Sequence, residues 1–421
     1  MIVVNNKYKC CGCSACVQRC PKQCISLHVD EEGFLYPKVD IDTCIDCGLC
    51  EKVCPVLHQA EECMPLEVFA AKNPNDQIRM ESSSGGVFTQ LAEQTIEAGG
   101  VVFGVKWNEH FEAVHAYTET KEGIAAFRGS KYVQSRVGDT FKQAEQFLKQ
   151  GRQVLFSGTP CQIAALKLFL RKDYENLLAV DFICHGTPSP GVFRWYLSEE
   201  FAKEAARQSG EKIQFRSSLP IPSIAKADVL AREQGFVIED IRFRDKRVGW
   251  KKYSFVLSLK SLSKVTTAGE KNSVSLSYTL DKHVFMRGFL KDLYLRPSCH
   301  NCPAKSGKSG ADITLGDYWG IQSLMPEYDD DCGVSALTIN TEKGKQALHA
   351  TTAELYAAPY EDLCIKNPAL VHSCCIPTNR SRFFALGTTN FHQRIHECCR
   401  IPFRRRLKLK LISLLRKVLN K

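Results

Sequence analysis

Two copies of one cysteine pattern constrain this chain more than any other feature. The first reads Cys10-x2-Cys13-x2-Cys16-x3-Cys20-Pro21 and the second Cys44-x2-Cys47-x2-Cys50-x3-Cys54-Pro55. Thiolate runs of this spacing hold pairs of 4Fe-4S clusters. Three ligands come from a tight loop, and the fourth crosses to the other cluster. The expected ligand sets are therefore Cys10, Cys13, Cys16 and Cys54 for one cluster, and Cys44, Cys47, Cys50 and Cys20 for the other. Proline after each fourth cysteine removes an N–H and turns the chain away. Zinc and disulfides are the rival readings. Zinc sites usually take ligands in pairs, and two adjacent copies of the longer run favour iron.

Twenty-one cysteines would suit a secreted disulfide framework only behind an apolar export segment. Met1 to Lys9 offers only Ile2, Val3 and Val4 before Asn5, Asn6 and Lys7, which is no signal peptide. No stretch approaches the roughly eighteen consecutive apolar residues of a spanning helix. A cytoplasmic protein is expected, in a reducing compartment where thiols stay available for iron. With 421 residues, 44% of them hydrophobic and 24% charged, the chain is long enough for two or three domains with a sizeable core.

The net charge of +10 is local. Residues 400–421 carry nine Lys or Arg and no acid, which leaves about +1 for the rest. That argues against a broadly basic nucleic-acid-binding surface. From Arg404 onward, Leu407, Leu411, Leu414, Leu415 and Val418 fall on one helical face. Such a basic amphipathic helix suits an anionic membrane surface or an acidic partner. Packing of the same leucines on the body is the rival reading.

Residues 1–63 are expected to form an α+β ferredoxin-like domain, with short strands over 25–29 and 33–39 between the two cysteine runs. Residues 64–385 read as a larger α/β domain with a mixed sheet. Strands are expected at 68–71, 100–105, 114–118, 153–157 and 177–184. Helices are expected at 86–98, 140–149, 161–170 and 192–207. After β-rich runs between 236 and 280, strands at 311–315 and 334–340 suggest that the sheet resumes behind an insertion. Residues 386–421 are assigned to the basic tail.

Four further motifs carry chemical information. Ser82-Ser83-Ser84-Gly85-Gly86 precedes a helix, where free N–H groups and the dipole favour phosphate; an ordinary N-cap and turn is the alternative. Phe156-Ser157-Gly158-Thr159-Pro160-Cys161-Gln162 places Cys161 near a helix start, where a thiolate is stabilised. It is otherwise a small buried residue. Asp181-Phe182-Ile183-Cys184-His185-Gly186 ends a strand, where ligands gather in α/β sheets. His185 is the nearest candidate proton donor by position. Cys299-x2-Cys302-Pro303 offers half of a four-cysteine site, and Cys161 and Cys184 are the candidates to complete it. The basic run from Arg242 to Lys252 suits an acidic ligand or a solvated hairpin face. Cys11 and Cys24 fall outside the spacing of the first run, and packing is favoured for Cys24.

These motifs together resemble the beta subunits of coenzyme F-420-reducing hydrogenases and F-420-dependent formate dehydrogenases, with their bacterial relatives. The resemblance runs from about residue 8 to residue 385. It is carried by Cys10-Cys11-Gly12-Cys13, Ser83-Ser84-Gly85-Gly86, Arg128-Gly129-Ser130-Lys131-Tyr132, Gly158-Thr159-Pro160-Cys161-Gln162, Cys184-His185-Gly186, Cys299-x2-Cys302 and Gly316-Asp317. It implies an FAD on the α/β domain, with Ser83, Ser84, Gly85, Gly86 and Lys131 serving its phosphates or ring. It also implies a third 4Fe-4S cluster on Cys161, Cys184, Cys299 and Cys302. The expectation is an FAD- and 4Fe-4S-dependent oxidoreductase, which passes electrons between clusters, flavin and a small-molecule substrate such as an F-420-like deazaflavin. The alternative is a non-enzymatic electron-transfer subunit that serves a redox partner protein.

Overall fold

The computed structural model describes residues 1–213, 220–262, 272–385 and 389–400. The amphipathic pattern expected beyond Arg404 lies outside the described residues.

Thirteen strands are found among the described residues: Ile25–Val29 (β1), Leu35–Val39 (β2), Glu67–Lys72 (β3), Val101–Trp107 (β4), Ala113–Thr118 (β5), Val154–Gly158 (β6), Leu177–Phe182 (β7), Phe236–Asp245 (β8), Ser254–Ser261 (β9), Ser273–Thr279 (β10), Ile313–Asp317 (β11), Ser335–Ile339 (β12) and Glu354–Ala357 (β13). β1 and β2 form an antiparallel hairpin in the N-terminal unit. The main sheet has the order β13-β3-β12-β11-β7-β6-β4-β5. Its centre is parallel, through β11·β7, β7·β6 and β6·β4. Its two flanks are antiparallel.

This mixed sheet is covered on both faces, as the alternation of its strands requires. Val154 and Phe156 of β6 point into a core built with Phe141, Ile163 and Leu166 of the helices Thr140–Lys149 and Pro160–Leu170. Leu155, between them, points into the opposite core with Val87 and Leu91 of the helix Val87–Glu97. β4 repeats the pattern with Val101 and Phe103 on one side and Val102 on the other.

The insertion between β7 and β11 forms its own antiparallel sheet, in the order β10-β9-β8. It packs with the helix Pro190–Ser209 around Phe193, Tyr196, Phe243, Phe255 and Phe285. Trp107 Nε1 ties it to the main sheet by donating to the carbonyl of Ile241 at 3.0 Å. The helix Phe391–Cys399 lies in the stretch assigned to the tail. It buries Phe391 and Ile395 in this same core, so the folded body runs past residue 385.

The N-terminal unit is built onto the body. Cys11, Cys13, Ala15 and Val53 are buried in the core beside the helices 140–149 and 160–170. Gln18 caps the first of these across the interface, because its Oε1 accepts the N–H groups of Phe141 at 3.0 Å and Lys142 at 3.3 Å. These are donors that no residue of the helix itself can satisfy. Gly33 sits at φ +84, and a Cβ there would lie 2.7 Å from Gly191 Cα. Only glycine permits that approach of the β1–β2 turn to the body.

Candidate functional site

The N-terminal cysteines fall into two neighbourhoods. Cys20, Cys44, Cys47 and Cys50 line one cavity that also touches Met1 and Ile45. Cys47 is exposed, so this set lies towards the surface. Backbone N–H groups already point at its sulfurs, from Ile2 to Cys50 Sγ at 3.3 Å and from Asp46 to Cys44 Sγ at 3.4 Å. Cys24 is not a bystander. Its Sγ is 3.3 Å from that of Cys20, and its thiol also bonds to Cys44.

The set of Cys10, Cys13, Cys16 and Cys54 lies deeper. Burial, with the negative charge of Cys10 and Cys54, pushes the Cys16 thiol up to about 12. Cys54 is thus a neighbour of Cys10 and Cys16, although it belongs to the second run.

The α/β body brings the remaining candidates together. β6 and β7 are adjacent and parallel, so the loops at their C-terminal ends are neighbours. Cys161 follows β6 at the start of a helix whose N-cap Thr159 forms a capping box with Gln162. Cys184 follows β7. Cys299 lies on the short 3-10 turn Pro297–Asn301, and Cys302 is its C-cap. All four cysteines line one cavity, together with Cys11, Gln134, His185, Thr187 and Lys305. Among the described residues no trio of Cys, His, Asp or Glu closes tightly enough to hold a single metal ion.

This cavity disfavours four free thiolates. A hydrogen bond to Cys11, then burial, raises the Cys161 thiol. Burial raises Cys184 and Cys299 and pushes Cys302 up to about 12. A cationic metal core would reverse that, because binding releases the thiol protons. The surroundings suit an anionic group. Lys305 is buried and donates to the carbonyls of Cys184, at 2.5 Å, and Ala369. The Thr187 N–H donates to Cys299 Sγ at 3.4 Å, and the Thr159 hydroxyl lies 3.2 Å from Cys161 Sγ. At the rim, His185 Nε2 lies 2.6 Å from Asp292 Oδ1, and the ring stands edge-on to Phe289 at 5.2 Å.

Cys11 joins this cavity to the ferredoxin unit. Its thiol bonds to both Cys13 and Cys161, one from each cysteine set. Its place outside the ligand spacing gave no hint of this. Arg296, Gln134 and Lys305 were equally invisible, because their partners lie far away in the chain.

The expected phosphate cradle departs from its reading. The Ser83 hydroxyl lies 2.8 Å from that of Ser130 and accepts the Ser130 N–H at 2.7 Å. Ser84 Oγ donates to the carbonyls of Val334 at 2.7 Å and Gly316 at 3.2 Å. Gly85 is pressed on the sheet, where a Cβ would lie 2.3 Å from the carbonyl oxygen of Ala71. Gly86 is the left-handed N-cap of the following helix. Lys131 turns inward to the carbonyls of Ala126, Arg128 and Gly129 at 3.1, 3.0 and 3.2 Å, and burial lowers it to about 8. The Ser83 and Ser84 hydroxyls and the Lys131 ammonium are thus engaged within the protein. They clamp the sheet to the loop 128–131.

The basic run 242–252 is also mainly a bracket. Arg244 donates to both oxygens of Asp317 at 2.7 and 3.0 Å. Lys246 is buried against the carbonyls of Arg79, Ser84 and Cys332. Trp250 is buried and stacks on Trp319 at 4.9 Å.

Fold and site define a protein in which a small unit with two ferredoxin-type cysteine runs is fused to an α/β body with its own cysteine-lined cavity. More narrowly, the chain belongs to the family of coenzyme F420 hydrogenase/dehydrogenase beta subunits. The family's C-terminal region matches residues 151–362 and its N-terminal region residues 68–142. A 4Fe-4S dicluster domain matches residues 9–57. The chain is similar to a subunit of the F(420)H(2) dehydrogenase of Methanosarcina mazei, with 27% identity over 188 residues, 42% of this chain and 53% of that protein. It is also similar to the Ferredoxin 7Fe of Hydrogenibacillus schlegelii, with 49% identity over 43 residues, 10% of this chain and 49% of that protein. The chain thus spans about half the length of these relatives. A solved chain of the F420-reducing [NiFe] hydrogenase complex from Methanosarcina barkeri superposes with a TM-score of 0.42 at 15% identity, covering 72% of this chain and 90% of that one. Among the described residues no helix is long and apolar enough to cross a membrane.

Proposed function

We propose that this chain is an electron-transfer subunit with three 4Fe-4S clusters, which exchanges electrons with a redox partner protein on one side and a small organic molecule on the other. The observation that carries the reading is the cavity lined jointly by Cys161, Cys184, Cys299, Cys302 and Cys11. It supports a third cluster directly against the ferredoxin unit. The three cysteine sets then form a series. The set of Cys44 opens to the surface and suits a partner protein, the set of Cys10 is interior, and the set of Cys161 faces the body. When bound, the clusters carry single electrons.

The chain's own residues hold and shield this series. Cys11 fills the gap between two of the sets and keeps water out of it. Lys305 and the Thr187 N–H offset negative charge at the third set. His185 Nε2, paired with Asp292, can hold a proton at the cavity rim, where a two-electron substrate needs one. Family membership supports FAD as the group that converts between electron pairs and single electrons. Ser83 to Gly86 and Lys131 are the contacts that the family resemblance suggests for it. F420 or a related deazaflavin is the substrate class that the relatives' names suggest.

Anaerobic purification with release and quantification of flavin tests the FAD reading. Reduction or oxidation of F420 by the isolated chain separates an oxidoreductase from a purely electron-conducting subunit. A flavin-free chain inert towards F420, but reducible by dithionite, leaves the conducting role.

A further inference from the structure

Arg296 is buried, with 1% of its surface exposed, and among the described residues no carboxylate forms an ion pair with it. A buried guanidinium without an anion is costly. Its fork is nevertheless directed through four contacts. Nε donates to the Cys10 carbonyl at 2.7 Å and Nη1 to Gln134 Oε1 at 2.9 Å. Nη2 donates to the Leu35 carbonyl at 3.0 Å and reaches Cys10 Sγ at 3.5 Å. Its plane lies over the ring of Tyr36, 4.2 Å from the centroid.

The loop is shaped to receive it. Gly12 sits at φ +73, and a Cβ there would lie 2.7 Å from Arg296 Nη1. The Arg296 backbone also serves the other cavity, because its carbonyl accepts the N–H of Cys299 at 2.9 Å. One buried cation therefore stands between two cysteine sets, with its charge aimed at a sulfur of the inner one.

We propose that Arg296 is the counter-cation of the cluster held by Cys10, Cys13, Cys16 and Cys54, and that it raises that cluster's reduction potential above the value the thiolates alone would set. Four thiolates around a 4Fe-4S core leave net negative charge, which grows when an electron is added. A nearby cation and an N–H···S contact stabilise the reduced form more than the oxidised one, and both are recognised determinants of cluster potential. The inner cluster then accepts an electron more readily than its position between two anionic neighbours would allow. This inference rests on the proposed cluster at Cys10; it adds the residue that sets that cluster's potential.

The test is an EPR-monitored redox titration of reconstituted full-length protein, with iron content measured on the same samples. Arg296→Gln removes the charge, and Arg296→Lys keeps it without the fork. Gln134→Glu leaves the guanidinium in place and puts a carboxylate on Nη1. The expected result is the inner set's midpoint shifted to more negative potential in Arg296→Gln and Gln134→Glu, a smaller shift in Arg296→Lys, and the midpoint of the surface set of Cys44 unmoved. The neighbouring Cys161 set, which the same charge reaches, shifts less than the inner one. Full iron with every midpoint unchanged overturns the proposal. So does loss of iron from both Arg296→Gln and Gln134→Glu, which makes the contact structural only. If Arg296→Gln alone loses iron, the Gln134→Glu midpoint decides. Failure of the underlying cluster assignment is distinguishable, because the wild-type protein itself would then lack that iron.

Discussion

Arg380 grips Glu32 with two N–H···O contacts of 2.5 Å across 348 residues of sequence, and both side chains are buried. The pair fastens the turn of the ferredoxin unit to the C-terminal part of the body. Arg380 also donates to the Leu295 carbonyl at 3.0 Å, next to Arg296. Removing one partner leaves the other as an uncompensated buried charge, which costs about 3–5 kcal/mol. Arg380→Met should therefore lower stability by that order. The double variant Arg380→Met with Glu32→Leu should recover much of the loss. Chemical unfolding of the three proteins measures both effects.

Acid should destabilise the insertion core through His283. This ring is buried, stacks on Phe255 at 4.1 Å and bonds to the Tyr196 hydroxyl at 2.9 Å. Burial lowers its pKa from 6.5 to about 3. The folded state thus binds the proton more weakly than the unfolded chain does. Stability from this group is complete above pH 6.5 and is lost as pH falls towards 3, at up to about 1.4 kcal/mol per pH unit. In His283→Phe the acid limb should be shallower by that slope. The difference between the two curves isolates the residue from other effects of acid.

Gly85→Ala should act on stability rather than on cofactor retention. A Cβ at Gly85 meets the Ala71 carbonyl and the Ser335 N–H inside 3 Å, and overpacking of a tight core costs about 1–3 kcal/mol. The melting temperature should drop, while any flavin that remains stays in proportion to folded protein. Selective loss of flavin from fully stable protein would restore the phosphate-cradle reading.

Much of this architecture was readable from local pattern. The short apolar runs of β4 and β6, and the glycine, proline and cap residues around them, marked the strands to within a residue or two. That Cys20 shares a cavity with Cys44, Cys47 and Cys50 matches the pairing expected from the spacing. Cys161 and Cys184 were recognisable as residues beyond strand ends. That they meet depends on β6 and β7 being neighbours, and that Cys299 joins them depends on the fold of a long insertion. What stayed hidden was the long-range hydrogen bonding. Ser84 looked like a phosphate ligand because its partners Gly316 and Val334 lie 232 and 250 residues away. Trp250 looked like an aromatic in a solvated basic loop, because its stacking partner Trp319 arrives with β11. Arg296 carried no motif at all.

The basic segment after Pro402 should bind anionic vesicles, on the reading that it is an amphipathic surface helix. Each Lys or Arg near the surface should contribute about 1 kcal/mol at low salt and less at high salt. Flotation of the full chain against a chain cut after Pro402 checks this. Equal flotation of the two removes the membrane role and leaves packing or a protein partner.

The central claim, a third cluster on the body in contact with the ferredoxin unit, is tested most directly by iron and acid-labile sulfide analysis of anaerobically reconstituted protein, wild type beside Cys299→Ser. Three 4Fe-4S clusters predict about twelve irons in the wild type and about eight in Cys299→Ser, with the ferredoxin clusters retained. About eight irons in both proteins would contradict the account and leave Cys161, Cys184, Cys299 and Cys302 as ordinary buried thiols.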